Sequence, residues 1–151
     1  MNILKIGDDM GIIQYTSKER DLLARLMRAE AIGEGDLGML MVGNVTVNRA
    51  IANCLTFKDI RTVSEAIYQN PGGFSGVNSS LFYSNPTTKE QGLADRVLRG
   101  EYYHPATHAL WFYAPSGSDA CKTTWWDQRN TGRYKNHCFY APDVGVCPEL
   151  R

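Results

Sequence analysis

The chain has 151 residues, with 16 basic and 16 acidic side chains and therefore a formal net charge of zero. A chain of this length forms one domain that buries roughly 70% of the surface of its unfolded polypeptide. The balanced charge argues against nucleic-acid binding through a basic face, and no apolar run reaches the roughly eighteen residues of a membrane span. Asp8 and Asp9 fall where a secretory signal needs an apolar segment, so we expect no general export signal.

The first predicted helix carries the most informative residue of the sequence. Thr16 and Glu19 have the T-x-x-E spacing of a capping box, which starts a helix cleanly. At about 100° per residue, Glu30 falls beside Leu26 and Met27 near the centre of an apolar stripe. Loss of solvation there favours the neutral acid and raises the pKa of the Glu30 carboxyl. Because such an acid can protonate a leaving oxygen near neutral pH, Glu30 is the predicted catalytic residue.

The second predicted helix, from about Leu37 to Ala52, carries uncharged polar residues among apolar ones. Asn44 and Asn48 lie four positions apart on or beside the core-facing stripe, and Thr46 lies between them. A buried amide without a partner costs about 1–3 kcal/mol, so each amide needs a hydrogen bond. The two amides either brace the helix pair or bind the hydroxyl and N-acetyl groups of a sugar. With Thr46 they are also candidates to orient Glu30.

Two shorter helices are predicted further along the chain. Thr62 and Glu65 form a second capping box, which opens a helix through about Gln69. Asn85-Pro86 has the residue types of an N-cap and a first helical position, for a helix through about Arg99.

The rest of the chain is rich in turn and aromatic residues. Between the two shorter helices, a Pro-Gly-Gly turn leads into Phe74 and Ser75, a loop with the aromatic tip of a binding site. After Gly100 the helical periodicity fades, and Ala109–Tyr113 is the one predicted strand. We therefore predict a mainly α (α+β) compact single domain, with a helical N-terminal half and an aromatic, loop-rich C-terminal half.

Aromatic residues make up 11% of the chain. In a groove, aromatic faces bind the apolar faces of sugar rings while polar side chains bind the hydroxyls. Phe112 and Phe139 are predicted to belong to the core. Trp125 and Trp126 lie in the polar context KTTWWDQRN, so at least one should lie at a groove or a partner surface. The residues predicted to contact substrate in the groove are Phe74, Ser75, Trp111, Tyr113, Trp126 and, unless it is structural, His137.

Cysteine and histidine spacing gives little support to a metal site. No two cysteines form a CxxC pair, which disfavours zinc. His104 and His108 are four apart, but Pro105 between them disfavours the helix that would bring them together. We predict no metal and no cofactor. Disulfides or buried thiols are favoured instead, with all three pairings open among Cys54, Cys121, Cys138 and Cys147.

A second catalytic carboxylate is harder to assign. Glycosidases that invert or retain configuration use two carboxylates about 6.5–9.5 Å or about 5–5.5 Å apart. Glu34 and Asp36 follow Glu30 closely, but Gly33 leaves their geometry open. A single acid suffices if it protonates the leaving oxygen and then accepts the proton of the sugar's own 6-hydroxyl, which leaves a 1,6-anhydro end. The same glutamate could activate water instead, and both routes stay open.

The segment Leu26–Ala50, LMRAEAIGEGDLGMLMVGNVTVNRA, resembles the signature of the spore cortex-lytic cell-wall hydrolases of the SleB/CwlJ type. That signature reads A-E-A-x-G-E, followed by G-x-x-x-V-G-N/A-V-x-x-N-R. The resemblance covers about Ser17 to Cys147, with all four cysteines in register with the CwlJ branch. It continues through Ala52–Cys54, Ile67–Gln69, Leu110–Phe112, Trp125–Gln128 and Lys135–Tyr140.

The resemblance implies a lysozyme-like, lytic-transglycosylase-related catalytic domain over residues 17–151, after an N-terminal extension over residues 1–16. The first glutamate of A-E-A-x-G-E, here Glu30, is the catalytic residue of the family. The implied substrate is the peptidoglycan of the spore cortex, cleaved between N-acetylmuramic acid and N-acetylglucosamine during germination. The implied location is the coat–cortex boundary, reached without a signal peptide and with a spore-coat protein as partner.

Other interpretations stay open at this point. One is a hydrolytic phage or vegetative cell-wall lysin with the same domain, and another is a coat protein that binds glycan without cutting it. Glu30 argues against a pure binder, because binding does not require a carboxylate on a buried stripe. The alternative for Glu30 itself is a helix-end side chain that reaches water.

Overall fold

The computed structural model describes residues 11–70 and 72–150, where four α-helices precede a four-stranded sheet. The first ten residues, including Asp8 and Asp9, lie outside the described part. None of the described helices combines the length and apolarity that crossing a bilayer would need. The helices are α1 Ser17–Ala31, α2 Gly35–Ala52, α3 Val63–Tyr68 and α4 Thr88–Leu98. The strands are β1 Trp111–Tyr113, β2 Thr124–Trp125, β3 Gln128–Tyr134 and β4 His137–Ala141.

Capping boxes start three of these helices. The predicted boxes at Thr16 and Thr62 are both present and begin α1 and α3. The prediction that α4 begins at Asn85-Pro86 is wrong. Thr87 and Glu90 exchange backbone-to-side-chain hydrogen bonds of 2.9 and 3.1 Å, which makes Thr87 the N-cap. The carbonyl of Asn85 instead accepts a hydrogen bond from Arg28 Nη1 at 3.0 Å.

Helix α2 is the centre of the fold. Its residues 38–50 are all buried, on every face of the helix, whereas the sequence predicted a single buried stripe. The cause is that α2 packs against α1, α3 and α4, and side chains of α2 also bond the loop that leads to the sheet. A helix surrounded in this way is apolar all round, so its few polar side chains must find partners inside the protein.

The C-terminal half contains more regular structure than the sequence indicated. All strand pairs are antiparallel, in the order β1-β4-β3-β2, with a register shift between Asn130 and Gly132. The predicted strand at Ala109–Tyr113 corresponds to β1, which starts at Trp111. Strand β4 is buried throughout and places Phe139 in the main core, as predicted. Of the three strands that were missed, β2 is only two residues long and β4 is buried at every position, so neither shows the polar–apolar alternation that identifies a strand from sequence.

Two disulfides tie the sheet region together. Cys54 at the end of α2 is bonded to Cys147, and Cys121 is bonded to Cys138 in β4. Their Cα–Cα distances are 5.5 and 5.8 Å. The structure therefore selects one of the three pairings that the sequence left open, and no described cysteine is free.

Residues just before the predicted boundary at residue 17 contact the rest of the described structure. Tyr15 is buried in the main core, and the backbone N–H of Ile12 donates to the carbonyl of Leu98 at 3.0 Å. The part of the predicted extension that is described, residues 11–16, thus packs against the domain.

Candidate active site

A cleft of about 480 Å³ lies between the end of α1, the loop at residues 72–75 and the aromatic face of the sheet. It brings together Glu30 and six of the residues predicted to contact substrate. The lining residues are Glu30, Arg49, Gly72, Gly73, Phe74, Ser75, Trp111, Phe112, Tyr113, Ala114, Trp125, Trp126 and His137.

Glu30 lies in the last turn of α1, with its carboxylate turned toward the 72–76 loop. The backbone N–H of Gly76 donates to Glu30 Oε2 at 2.5 Å, and Ser75 Oγ lies 3.4 Å from the same oxygen. Burial raises the pKa of Glu30, while the hydrogen bond from Gly76 and the nearby His137 act in the opposite direction. The net direction is upward because desolvation of the charged form is the largest effect.

Gly76 permits this contact because it has no side chain. A Cβ atom at this position would lie 2.8 Å from Glu30 Oε2 and 3.1 Å from Glu30 Cδ. The carboxylate would have to move, so the close approach of backbone to acid requires glycine here.

Glu34 and His137 form a buried pair beside the cleft. His137 Nδ1 lies 2.9 Å from Glu34 Oε1, and the backbone N–H of Asn136 donates to Glu34 Oε2 at 3.1 Å. His137 lines the cleft, whereas Glu34 is among the buried residues behind it. The pair fixes the His137 ring, which also packs edge-on against Phe112.

Arg49 is a cleft residue that the sequence analysis missed. Its guanidinium donates to the carbonyls of Leu110 and Gly72 at 2.8 and 2.7 Å. It also lies 4.2–4.9 Å from the ring centroids of Phe57, Phe74 and Trp111. Burial lowers the pKa of Arg49 to about 9, and the charge of Glu30 acts against this shift. The sequence offered one signal for Arg49, its place on a helix rich in apolar residues. An arginine buried there requires several partners, which marks it as a candidate site residue.

Stacked aromatic pairs form the sheet side of the cleft. Trp111 and Trp126 stack with centroids 4.3 Å apart and planes 4° apart. Tyr113 and Trp125 stack with centroids 4.7 Å apart. Trp126 is exposed and Trp125 half-buried, which confirms that at least one lies at a groove. Phe112 packs against the main core as predicted, but it is only half-buried and also lines the cleft.

The structure does not bring Asn44, Thr46 and Asn48 to the cleft, which corrects this part of the prediction. Asn44 exchanges hydrogen bonds with the backbone of Glu101 and Tyr103, at 2.7 and 3.0 Å. Thr46 Oγ1 donates to a carbonyl one turn earlier in α2 at 3.0 Å. Asn48 Nδ2 lies 2.9–3.2 Å from three carbonyls of the 106–109 loop. All three are fully buried. Asn44 and Asn48 hold the chain between α4 and the sheet on α2, whereas Thr46 bonds within the helix.

The described part of the chain contains no cluster of metal-binding side chains. Across 11–70 and 72–150, no three His, Cys, Asp or Glu side chains come together as a metal ion would require.

Comparison with known proteins identifies the family. The family model described as Cell Wall Hydrolase matches residues 33–140. The chain belongs to the cell wall hydrolase family. The cell wall hydrolase CwlJ of Oceanobacillus iheyensis is 52% identical over 93% of this chain and 99% of its own length. CwlJ of Bacillus subtilis is 45% identical over 93% of this chain and 97% of its own length. The predicted resemblance is thus confirmed, and the protein is a peptidoglycan hydrolase.

Solved structures support the predicted fold of this cell wall hydrolase. The catalytic domain of the germination-specific lytic transglycosylase SleB from Bacillus anthracis matches with a TM-score of 0.64. The match covers 83% of this chain and 96% of that domain at 23% identity. The SleB catalytic domain of Bacillus cereus matches with a TM-score of 0.62 at 21% identity. The prediction of a lysozyme-like α+β single domain is therefore confirmed.

Proposed function

We propose that this cell wall hydrolase cleaves the bond between N-acetylmuramic acid and N-acetylglucosamine in spore cortex peptidoglycan during germination. The observation that carries the proposal is the carboxyl of Glu30, held in an aromatic cleft with its pKa raised by burial. The likeness to CwlJ and to a germination-specific lytic transglycosylase supports the choice of substrate. A place at the coat–cortex boundary and a spore-coat partner belong to the same proposal.

The proposed reaction uses Glu30 twice. Glu30 first gives its proton to the glycosidic oxygen, and the bond from that oxygen to C1 of N-acetylmuramic acid breaks. The 6-hydroxyl of the same sugar then bonds to C1, and its proton returns to the Glu30 carboxylate. The products are a 1,6-anhydro-muramic end and a free 4-hydroxyl on N-acetylglucosamine, and the acid is regenerated without water.

The surroundings of Glu34 favour this one-carboxylate route over hydrolysis. Among the described residues that line the cleft, Glu30 is the one carboxylate. Glu34, the strongest candidate for a second, is buried and occupied by His137 and by the N–H of Asn136. A base that activates water needs an oxygen within hydrogen-bond reach of that water.

Product analysis tests the proposal. Purified cortex is digested with wild-type protein, Glu30→Gln and Glu149→Gln, and the released muropeptides are identified by mass spectrometry. Glu149 is exposed, and its hydrogen-bond partner Asn53 does not line the cleft, so Glu149→Gln is the matched control. We expect anhydro-muramic ends from wild-type protein and the control, and none from Glu30→Gln.

Other products would change the assignment. Reducing ends of hydrated mass would mean hydrolysis, which would suit a phage or vegetative lysin, and Glu34→Gln would be the next variant. Unchanged lysis by Glu30→Gln would remove the catalytic role of Glu30. Binding of cortex without any product would favour a glycan-binding coat protein.

A further inference from the structure

A second cavity adjoins the catalytic cleft. It has a volume of about 400 Å³, and Trp126 lines both spaces. Its other walls come from the turn after α2, from the start of β3 and from the segment after β4. They include Leu55, Gln128, Asp143 and Val146. We call this cavity the distal site.

The wall of the distal site has the apolar and aromatic surface that a sugar ring needs. Trp126 is 49% exposed although Trp111 covers one of its faces, so its free area is the opposite face and the ring edges. Leu55 and Val146 are 50% and 47% exposed. Contiguous exposed apolar side chains at a cavity mark a binding surface rather than part of the core.

Two of these side chains are held in an unfavourable backbone conformation. Leu55 has φ 54° and Trp126 has φ 53°, both in the left-handed region. That region costs a residue with a Cβ roughly 1–2 kcal/mol. Because both side chains are about half exposed, the free energy gained by burying them in the unliganded protein offsets only part of this cost. Strain of this kind is concentrated at binding sites, where the fold presents a side chain to a ligand.

A disulfide fixes the two apolar walls relative to each other. Cys54 directly precedes Leu55, and Cys147 directly follows Val146. The bond between the two cysteines therefore joins the segment after α2 to the segment after β4. Walls that are already in place lose less conformational freedom on binding, which favours affinity.

The polar groups of the distal site select the ligand. Gln128 is 5% exposed, and its Oε1 has no hydrogen-bond partner within the described structure. This oxygen is closed to solvent, so a ligand amide N–H or hydroxyl supplies the missing partner once the Gln128 side chain turns toward the cavity. Asp127 and Asp143 are exposed carboxylates at the same cavity, and Arg129 Nε lies 3.6 Å from Asp143. Two carboxylates against one cation leave the cavity acidic, so an uncharged sugar is favoured over a peptide stem that carries carboxylates.

We propose that the distal site binds an uncharged N-acetylhexosamine unit of the same glycan strand that occupies the catalytic cleft. The sugar ring packs on the free face of Trp126, the acetyl methyl contacts Leu55 or Val146, and Gln128 accepts a hydrogen bond. The inference rests on the proposed function, since it assumes that the cleft holds a glycan. It adds that a long strand contacts the protein beyond the cleft.

Binding of oligosaccharides of two lengths tests the distal site. The probes are N-acetylglucosamine oligomers of two and six units, titrated by calorimetry into the Glu30→Gln protein so that no cleavage occurs. We expect the hexamer to bind on the order of tenfold more tightly than the dimer, because it reaches both sites. In the Glu30→Gln background, Val146→Asp should bring this ratio toward one.

Two further variants keep the test decisive. Val144→Asp is the matched control, since Val144 is 96% exposed and does not line the distal site; it should keep the ratio. Leu55→Gly removes an apolar wall, and glycine tolerates the left-handed backbone, so this variant should fold and still lose the ratio. The proposal would be overturned if both oligomers bound equally, if neither bound, or if Val144→Asp lost the affinity ratio as fully as Val146→Asp. Product analysis with wild-type protein tests the proposed function separately, so the two failures are distinguishable.

Discussion

His137 Nδ1 lies 2.9 Å from Glu34 Oε1, which joins the start of β4 to the turn between α1 and α2 across 103 residues. The two residues before His137 hold the same glutamate. The backbone N–H of Asn136 donates to Glu34 Oε2 at 3.1 Å, and Lys135 Nζ donates to the Glu34 carbonyl at 3.2 Å. Because Glu34 follows Glu30 by four residues, this contact fixes the helix end that carries the acid against the aromatic wall of the cleft.

The coupling between Glu34 and His137 can be measured with a double-mutant cycle. Glu34→Gln, His137→Ala and the double variant are compared with wild-type protein by denaturant unfolding. Both side chains are buried, so we expect a coupling free energy of about 1.5–3 kcal/mol, as for hydrogen bonds to charged groups. The exposed pair Lys89–Asp36, at 2.8 Å, is the control and should give about 0–1 kcal/mol. Similar values for the two cycles would contradict the structural role of the buried pair.

The raised pKa of Glu30 makes stability depend on pH in a definite direction. In the folded state this carboxyl binds a proton up to a higher pH than in the unfolded state. The free energy of unfolding therefore falls as the pH rises through the window between the two pKa values. Glu30→Gln removes this loss, so we expect the variant to melt above wild-type protein at pH 7.

The same comparison at low pH provides the check. At about pH 3, below the ordinary glutamate pKa of about 4.3, the difference in melting temperature should shrink, because wild-type Glu30 is then largely protonated in both states. Glu149→Gln, at an exposed position, should show no such change with pH. A difference that is the same at both pH values would mean that desolvation does not control Glu30.

Gly76 should be required for activity but not for folding. In Gly76→Ala the new Cβ would lie 2.8 Å from Glu30 Oε2, so the carboxylate moves from its place. Misplacement of a catalytic group by about 1 Å costs on the order of 100-fold in rate, so we expect kcat to fall by up to about 100-fold. We expect little change in KM or in melting temperature, as measured by turnover of solubilised peptidoglycan and by thermal unfolding.

Gly92→Ala is the matched control for Gly76→Ala. Gly92 lies inside α4, and a Cβ there would meet no atom within 4 Å. Alanine in a helix interior is favoured over glycine by roughly 0.5–1 kcal/mol, so this variant should gain stability and keep full activity. Full activity of Gly76→Ala would refute the requirement for a close approach to Glu30.

The two disulfides should differ in their contribution to stability. Cys54–Cys147 closes a loop with a sequence separation of 93, and Cys121–Cys138 one of 17. In the chain-entropy model the longer loop contributes roughly 1.5 kcal/mol more. We therefore expect replacement of Cys54 and Cys147 by alanine to lower the free energy of unfolding by more than replacement of Cys121 and Cys138. Equal losses, or the reverse order, would contradict this model.

Local signals predicted the helices well and the sheet poorly. The capping boxes at Thr16 and Thr62 were correct because a cap depends on residues only three positions apart. The start of α4 was misplaced because Asn85-Pro86 has good cap residue types, while the carbonyl of Asn85 is engaged by distant Arg28. Short strands such as Thr124–Trp125 give no periodicity to read and form only when a partner strand is present.

From the sequence alone we could predict the family, the helical start of the domain, Glu30 as the candidate acid and the aromatic surface near it. These depend on motif, spacing and residue type, which are local properties. The packing of the folded chain was needed to show that Asn44 and Asn48 brace loops rather than face the cleft. It also showed that Arg49 lies within the cleft and that Glu34 is held by His137. A buried polar group takes its role from its hydrogen-bond partner, and these partners lie 23 to 103 residues away along the chain, beyond the reach of any local motif.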